Sequence, residues 1–473
     1  MLRLSFGTQS LGSCARLNLS FNEHNPDHRR FLLVKTHAEE SLGANPGDAA
    51  LNPADSVAMG MPAGRSPTGG PSPSKGSFRA LRHGAFRLLF ISFLINQTGF
   101  WISHISLQGM MVQLSDNDTF MNGLLFFVLF LPAFILAPIS GVVADRFDRK
   151  KVMIMSYLVV ATACAVLAVA TGGGWITAEG LLILAFAMGV SFTFAGPASM
   201  AIAANSVPPE DLPSAIAMQS VANNLTRVVG PLLAAPLVLT GQFQIAFVLY
   251  LFAGLTAAIL TTRMRVAAYE PDPGDAGIFK RIAQGISHAR SRYPALPALL
   301  TVAMLSSFGV SHMVLLPSFA SESLGDGGYF PWIAAATGLG AMVGALRSGR
   351  VGARVTMGRA SLGVVAYGLA LAAFSISQVI WPALLAQFVI GFFYFTVMTR
   401  LQMLVQKIVD ENLRGRVMSL FQVCWAGTIP FGSLAMGYAA SLLGTPVTLL
   451  MSSVICLGYG LLAWLVYRRD PLP

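Results

Sequence analysis

The chain has 473 residues, of which 54% are hydrophobic and 11% charged, with a mean hydropathy of +0.64. A soluble domain carries about 25% charged residues, so this composition belongs in lipid and excludes an ordinary water-soluble enzyme or binding domain. The net charge of +10 does not point to nucleic acid, because Lys and Arg gather in short turns between apolar runs, where they report membrane topology.

Residues 1–77 are rich in Ser, Gly, Pro and Asn, contain no apolar run long enough to span a bilayer, and read as a disordered leader. Arg3, Arg16 and several serines without an acid give its first twenty residues some likeness to a transit peptide. The preferred expectation is that part of the leader is an upstream start, with Met59 or Met61 the working one. Order is expected from Phe78, with a basic, partly amphipathic segment to Arg87.

Twelve apolar spans follow, at about 86–112, 121–143, 152–171, 178–203, 214–240, 243–263, 296–319, 329–348, 358–378, 381–406, 415–441 and 445–467. The expected organisation is therefore a six-helix bundle over 78–263, a linker over 264–295, a second six-helix bundle over 296–467 and a short tail, 468–473. Within the linker, Ile278, Ile282 and Ile286 recur at i, i+4 beside Lys280 and Arg281, the pattern of a short interfacial helix. The four cysteines, Cys14, Cys164, Cys424 and Cys456, have neither disulfide-framework nor metal-ligand spacing.

Loops after even-numbered spans carry the basic residues, from Arg146, Arg149, Lys150 and Lys151 to Arg347, Arg350, Arg354 and Arg359; loops after odd-numbered spans carry none. Both termini are expected in the cytoplasm, in a multi-pass protein of the cell (inner) membrane. The densest turn is Gly141-Val-Val-Ala-Asp-Arg-Phe-Asp-Arg-Lys-Lys151, with six charged residues in the seven positions from Asp145 to Lys151.

The two halves read as repeats. Phe100-Trp-Ile-Ser-His104 in span 1 matches Phe308-Gly-Val-Ser-His312 in span 7, and Pro209-Glu-Asp-Leu212 matches Asp410-Glu-Asn-Leu413. The turn after span 2 matches Gly344-Ala-Leu-Arg-Ser-Gly-Arg350, where Ser348 replaces the acid at Asp145.

With this repeat, residues 78–467 resemble the major facilitator superfamily, in its enterobactin-exporter and macrolide-efflux branch. The likeness is carried by the Gly141–Lys150 motif, Asp211-Leu-Pro-Ser-Ala215, Arg227-Val-Val-Gly-Pro231 and Leu413-Arg-Gly-Arg-Val-Met-Ser-Leu420. The resemblance implies an all-α membrane protein whose twelve helices form two pseudo-symmetric bundles and export small molecules by proton antiport and alternating access. It also implies a gating motif of Gly141, Asp145, Arg146, Arg149 and Lys150, with Asp145 against the start of helix 11, and a helix-5 bend at Gly230 and Pro231. The chain departs from the branch at Phe100, where an acid often follows the span 1 glycine, and at Ser199, where an Arg often stands. The repeat partner of Ser199 is Arg400.

Candidate substrate or coupling residues are polar groups inside apolar spans. Arg227 and Arg400 each carry an insertion cost of roughly 2.5–3.5 kcal/mol and are expected to face a cavity or a partner; the bland alternative is snorkelling or helix capping. No Asp or Glu falls in the middle of a span, so the paired histidines His104 and His312, which in this fold would face each other across the cavity, are the candidate proton carriers. Both are placed toward the outer end, with double protonation opening the gate by repulsion; the alternative is two interfacial histidines bonded to backbone. Asn96, Gln97, Gln387 and Gln422 are further polar candidates; Trp101, Phe192, Phe194, Phe392, Phe393, Tyr394 and Trp425 are candidate pocket aromatics. Gly340 and Gly344 form a GxxxG pair suited to close helix packing.

The expected function is secondary active transport of small molecules, proton-coupled efflux of drugs or siderophore-like compounds, by a monomer with no cofactor, metal or nucleic-acid partner. Alternatives are import of an organic anion, which two cavity arginines would permit, and a non-transporting membrane sensor or assembly factor. The spans hold no nucleophile–base arrangement and no phosphate loop, so no enzyme activity is expected.

Overall fold

Hydrocarbon offers no hydrogen-bond partner to a peptide group, so each apolar run must satisfy its backbone internally as a helix. In a computed structural model, which describes residues 78–265, 278–350 and 356–469, twelve helices are long and apolar enough to cross a membrane. The expected leader and the tail beyond residue 469 lie outside the described residues.

The first bundle comprises α1 (Gly84–Leu114), α2 (Thr119–Arg146), α3 (Arg149–Gly172), α4 (Ala178–Asn205), α5 (Leu212–Leu239) and α6 (Phe243–Thr262). The second comprises α7 (Ala295–Leu324), α8 (Phe330–Arg350), α9 (Met357–Ser375), α10 (Ile380–Ile408), α11 (Glu411 to Leu443) and α12 (Thr445–Tyr467). A linker helix, Ile278–Ser291, lies between them. Several starts follow from N-cap chemistry: the side chains of Asp118, Asp148, Thr177 and Thr356 accept from the backbone N–H of Phe120, Lys150, Gly180 and Arg359, groups with no partner inside their helices.

Two spans are not regular helices, which apolar periodicity does not reveal. α7 passes from Ala295–Met304 through a π turn, Leu305–Gly309, and a 3₁₀ segment, Val310–Leu315, into Leu316–Leu324. α11 contains a second π turn, Val423–Gly427. Such turns free backbone groups that neighbouring side chains must satisfy; here Ser311 Oγ lies 3.1 Å from the Ser306 carbonyl, and Thr428 Oγ donates to the Cys424 carbonyl at 2.9 Å.

Packing within the bundles is pseudo-symmetric. α3 packs on α6 as α9 packs on α12, and α2 on α4 as α8 on α10. The bundles meet along two seams, α2 with α11 and α5 with α8, themselves exchanged by the repeat. Glycines allow the closest approaches. Gly340 faces the Phe388 carbonyl and Gly391 the Thr337 carbonyl, so α8 and α10 touch backbone to backbone. Gly123 and Gly437 do the same across the α2–α11 seam, where Thr119 Oγ also donates to the Gly437 carbonyl at 3.1 Å.

At the end carrying both termini, each half is strapped by a similar device. Asp211, just before α5, binds Arg79 at 3.3 Å and His83 at 2.9 Å from the segment preceding α1. Asp410, just before α11, takes two hydrogen bonds from Arg292 at 2.7 and 2.8 Å, while its own N–H donates to His288 at 3.3 Å. The Arg292 guanidinium holds the Asp410 carboxyl below the usual carboxylate range. The linker helix is thereby anchored to the start of α11, with Arg416 donating to Gln284.

A methyl group at Gly340 would run into the Phe388 carbonyl, which the α10 helix holds in place. Gly340→Ala is expected to lose about 1–3 kcal/mol by overpacking, seen as a lower thermal unfolding midpoint in detergent; an exposed control, Gly458→Ala, should not shift.

Candidate functional site

The polar and aromatic groups at the seam converge on Arg227. α5 carries it one turn before Gly230 and Pro231, and Gly230 is pressed against the Cβ of Trp101, which brings α1 beside the arginine. The guanidinium carbon stands 5.6 Å from the centroid of a Trp101 ring and 4.4 Å from that of Phe395 on α10. Arg227 is thus gripped by aromatic faces from both bundles, an attraction that strengthens out of water. Its Nε is buried with no hydrogen-bond partner, and no Asp or Glu pairs with it among the described residues.

Polar groups surround this cation. Trp425 Nε1 of α11 donates to Tyr394 Oη at 2.8 Å, and Tyr394 lies within electrostatic reach of Arg227. Gln97 Nε2 donates to Asn223 Oδ1 at 3.5 Å, one helical turn before Arg227. The Trp101 indole N–H is buried without a partner, whereas the Asn96 side chain lies on Tyr250 of α6, away from this group. Together these groups offer hydrogen bonds and a positive charge at the seam, with no carboxylate paired to Arg227 among the described residues.

The two histidines, alike in sequence, have different surroundings. His104 sits among Phe100, Trp101, Phe126 and Phe130, with ring centroids 5.0 to 6.3 Å away, and its Nδ1 has no partner. His312 lies in the 3₁₀ segment of α7, with Nδ1 2.7 Å from the Gly309 carbonyl and Nε2 3.3 Å from Gln387 Oε1. Tyr367 Oη is 3.3 Å from its Nδ1, and Thr337 Oγ donates to the same Gln387 oxygen at 2.8 Å. Each ring is packed among side chains of its own bundle, so the structure does not bring the two into the direct opposition that repulsion between them requires.

Arg400 is not brought to Arg227 either. On α10 it follows Phe395 by five residues, about 140° around the helix, and its electrostatic neighbours are Arg347 and Arg359. In the turn after α2, Lys150 Nζ donates to the carbonyls of Thr262 and Met264 at 2.6 and 2.9 Å, capping the end of α6. Arg149 opens α3. Gly141, Asp145 and Arg146 belong to α2, but their side chains lie outside the described residues, as does the expected contact of Asp145 with α11.

Sequence reasoning missed Phe395, Tyr367 and Phe374. Phe395 closes a run of four aromatics, Phe392 to Phe395, and which of them meets Arg227 depends on the rotation of α10, for which the sequence holds no signal. Tyr367 and Phe374 of α9 approach His312 only through bundle packing.

A family profile described as "Transmembrane secretion effector" matches residues 75–470. The chain is 26% identical over 185 residues to macrolide efflux protein A of Streptococcus pyogenes, covering 38% of this chain and 44% of that one. It is 22% identical over 390 residues to the staphyloferrin A transporter of Staphylococcus aureus, covering 79% and 93%. The solved structure of the human organic anion transporter MFSD10 superposes with a TM-score of 0.58 at 17% identity, covering 80% of this chain and 99% of that one.

The histidine environments differ enough to be measured. His312→Leu strands the Gly309 carbonyl and leaves Gln387 with Thr337 alone, and is expected to cost about 1–3 kcal/mol, whereas His104→Leu, in an aromatic cage, should cost less than about 1 kcal/mol. Thermal unfolding of the two purified variants checks the order.

Proposed function

Because the chain belongs to the transmembrane secretion effectors of the major facilitator superfamily, we propose that this secondary transporter exports small amphipathic molecules, drugs or siderophore-like compounds, in exchange for protons. It works as a monomer in the cell (inner) membrane with both termini in the cytoplasm, an orientation supported by the confinement of Lys and Arg to the even-numbered loops. The relatives named for macrolide efflux and staphyloferrin A transport support the substrate range.

The observation that carries the proposal is Arg227, a cation held between Trp101 and Phe395 with a buried unpartnered Nε and no described acid beside it. A substrate with an aromatic or apolar body and an anionic or strongly accepting group satisfies this site: the rings cover the body while the guanidinium binds the acceptor. Because Trp101 and Phe395 come from different bundles, bound substrate feels both halves, as alternating access demands.

Access is supported by where the seam is closed. At the end opposite the termini, Ser318 donates to Asn117 at 3.0 Å, Phe120 meets Tyr438, and Phe127 meets Phe431. These contacts join the bundles at that end, which supports entry of substrate from the opposite side of the seam.

His312 is assigned the coupling proton. With Nδ1–H directed at the Gly309 carbonyl, a neutral ring needs a donor opposite Nε2, and a protonated ring needs an acceptor. Gln387 supplies either by rotating its amide, whose Nε2 is without a partner in the present arrangement. The Gly-Pro step of α5, the π turns of α7 and α11 and the gating motif supply the points of bending; Gly141, Asp145, Arg146 and Arg149 retain the gating role that the resemblance implies.

The same cation also favours a second reading, uptake of an organic anion, consistent in fold with the organic anion transporter above. Inside-out vesicles decide between them: an imposed proton gradient, acid inside, should drive accumulation of an exported amphipathic anion, and inactivity in this orientation with activity in right-side-out vesicles would reverse the direction. Arg227→Gln is expected to reduce transport of anionic substrates about tenfold or more, with Arg227→Lys retaining part of it. His312→Gln should flatten the pH dependence of transport while His104→Gln preserves it; an unchanged profile in His312→Gln would remove the assignment.

A further inference from the structure

Arg227 is held by its backbone as well as by its side chain. Gly338 of α8 is buried against it, and a methyl group there would meet the Arg227 carbonyl and the amide nitrogen of Val228. Both are main-chain atoms of a helix, which cannot turn aside as a side chain can. Toward the end opposite the termini the same seam closes again, where Leu239 of α5 lies against Gly328, just before α8. α5 and α8 are therefore joined at that end and again at the level of Arg227.

Two rigid units meet at this contact. In the second bundle, Gly391 of α10 sits on the carbonyl of Thr337, the residue beside Gly338, and Gly344 of α8 sits on that of Phe392, three residues before Phe395. Gly338 and Phe395 thus belong to one α8–α10 frame, the first touching the Arg227 backbone and the second standing 4.4 Å from its guanidinium carbon. In the first bundle, Gly230 is pressed on the Cβ of Trp101, and Gly99 of α1 on Tyr250 of α6. Arg227 and Trp101 thus belong to the other unit. Close packing makes each unit move as a body, so the seam gives way before the helix pairs do.

We propose that Gly338 is the positioning residue of the cargo site, and that parting of the α5–α8 seam takes the site apart in the same movement that opens the exit. The inference rests on the reading of Arg227 as the cargo cation. With Gly338 seated on Arg227, Trp101 and Phe395 both cover the cargo. When the bundles separate at the end opposite the termini, Gly338 leaves the arginine backbone and Phe395 leaves its side chain, while Trp101 stays. Cargo then keeps the cation and one aromatic wall, and its affinity falls by what the Phe395 wall contributed. Reciprocally, cargo held between both walls favours the closed seam, so the opening is driven by something other than cargo. A residue larger than glycine at 338 holds the seam ajar and weakens the site without touching cargo.

The test uses the full chain in detergent, its native cysteines replaced by alanine, with spin labels on Trp175→Cys and Val379→Cys. These exposed positions lie in the α3–α4 and α9–α10 turns, one in each bundle, at the end away from the termini. Pulsed electron–electron spin resonance reads their separation, and calorimetric titration with 2-naphthalenesulfonate, an aromatic anion, reads the cargo site. Gly338→Ala should lengthen the separation and weaken the anion about threefold or more. Phe395→Leu should weaken it alike with the separation unchanged, and Gly254→Ala, which crowds the Tyr157 carbonyl inside the first bundle, should change neither. An unaltered separation in Gly338→Ala, or a longer one with unaltered affinity, overturns the proposal. If the wild type binds no anion, it is the cargo reading of Arg227 that fails, and the separation still decides whether Gly338 sets the seam. Should Gly338→Ala not fold, Gly123→Ala, which meets the Ser433 carbonyl across the other seam, must lengthen the separation and weaken the anion together; either change alone is equally decisive against the proposal.

Discussion

Hydrocarbon does not hydrogen-bond, and every polar group carried into it must be satisfied by the protein itself or by what the protein binds. Many hydroxyls in these helices meet the demand locally, donating to a carbonyl three or four residues back, as Thr98, Thr193, Thr261 and Ser361 do. His312 meets it through a network drawn from three helices. Arg227 does not meet it: its charge is partly offset by two aromatic faces, and its Nε stays without a partner. An uncompensated cation is costly in a structural protein, which is why the proposed cargo site is placed at Arg227.

The same constraint shapes the backbone. A π turn or a proline in a water-soluble helix is repaired by solvent, whereas here the repair must come from neighbouring side chains. The broken segments of α7 and α11 lie beside the seam, and the hydroxyls of Ser311 and Thr428 serve the groups they expose. His312 stands just after one of these breaks, so the protonation change proposed for it would act on an already irregular segment. Regular helices packed glycine to carbonyl, as α8 and α10 are, provide a rigid frame against which such a segment moves.

Repeat symmetry holds at the level of the scaffold and fails at the level of side chains. The helix pairs and both terminal straps obey it, since they follow from two copies of one packing arrangement. His104 and His312 occupy matched positions but have no matched environments, because one copy has aromatic neighbours from α2 while the other has Gln387 and Tyr367. Ser348 opposite Asp145, and Arg400 opposite Ser199, have separated the two copies of the charged turn as well.

Composition, the length of the apolar runs and the placement of Lys and Arg were enough to read twelve spans in two sets of six, most of them to within about three residues at each end, since the bilayer imposes length and polarity on each segment independently of the others. The repeat and the family motifs were equally legible, being local strings such as Gly141–Lys151 and Arg227–Pro231. Even the singular status of Arg227 could be read, because a charge in a span is conspicuous wherever it points. The direction of each side chain could not. Rotation of a helix about its axis is set by packing, and in lipid an apolar residue can face either a neighbour or the bilayer, so no amphipathic stripe records it. Only the tertiary structure could turn Phe395 and Trp101 toward Arg227, give His104 and His312 their unlike surroundings, and set Arg400 among arginines instead of beside Arg227.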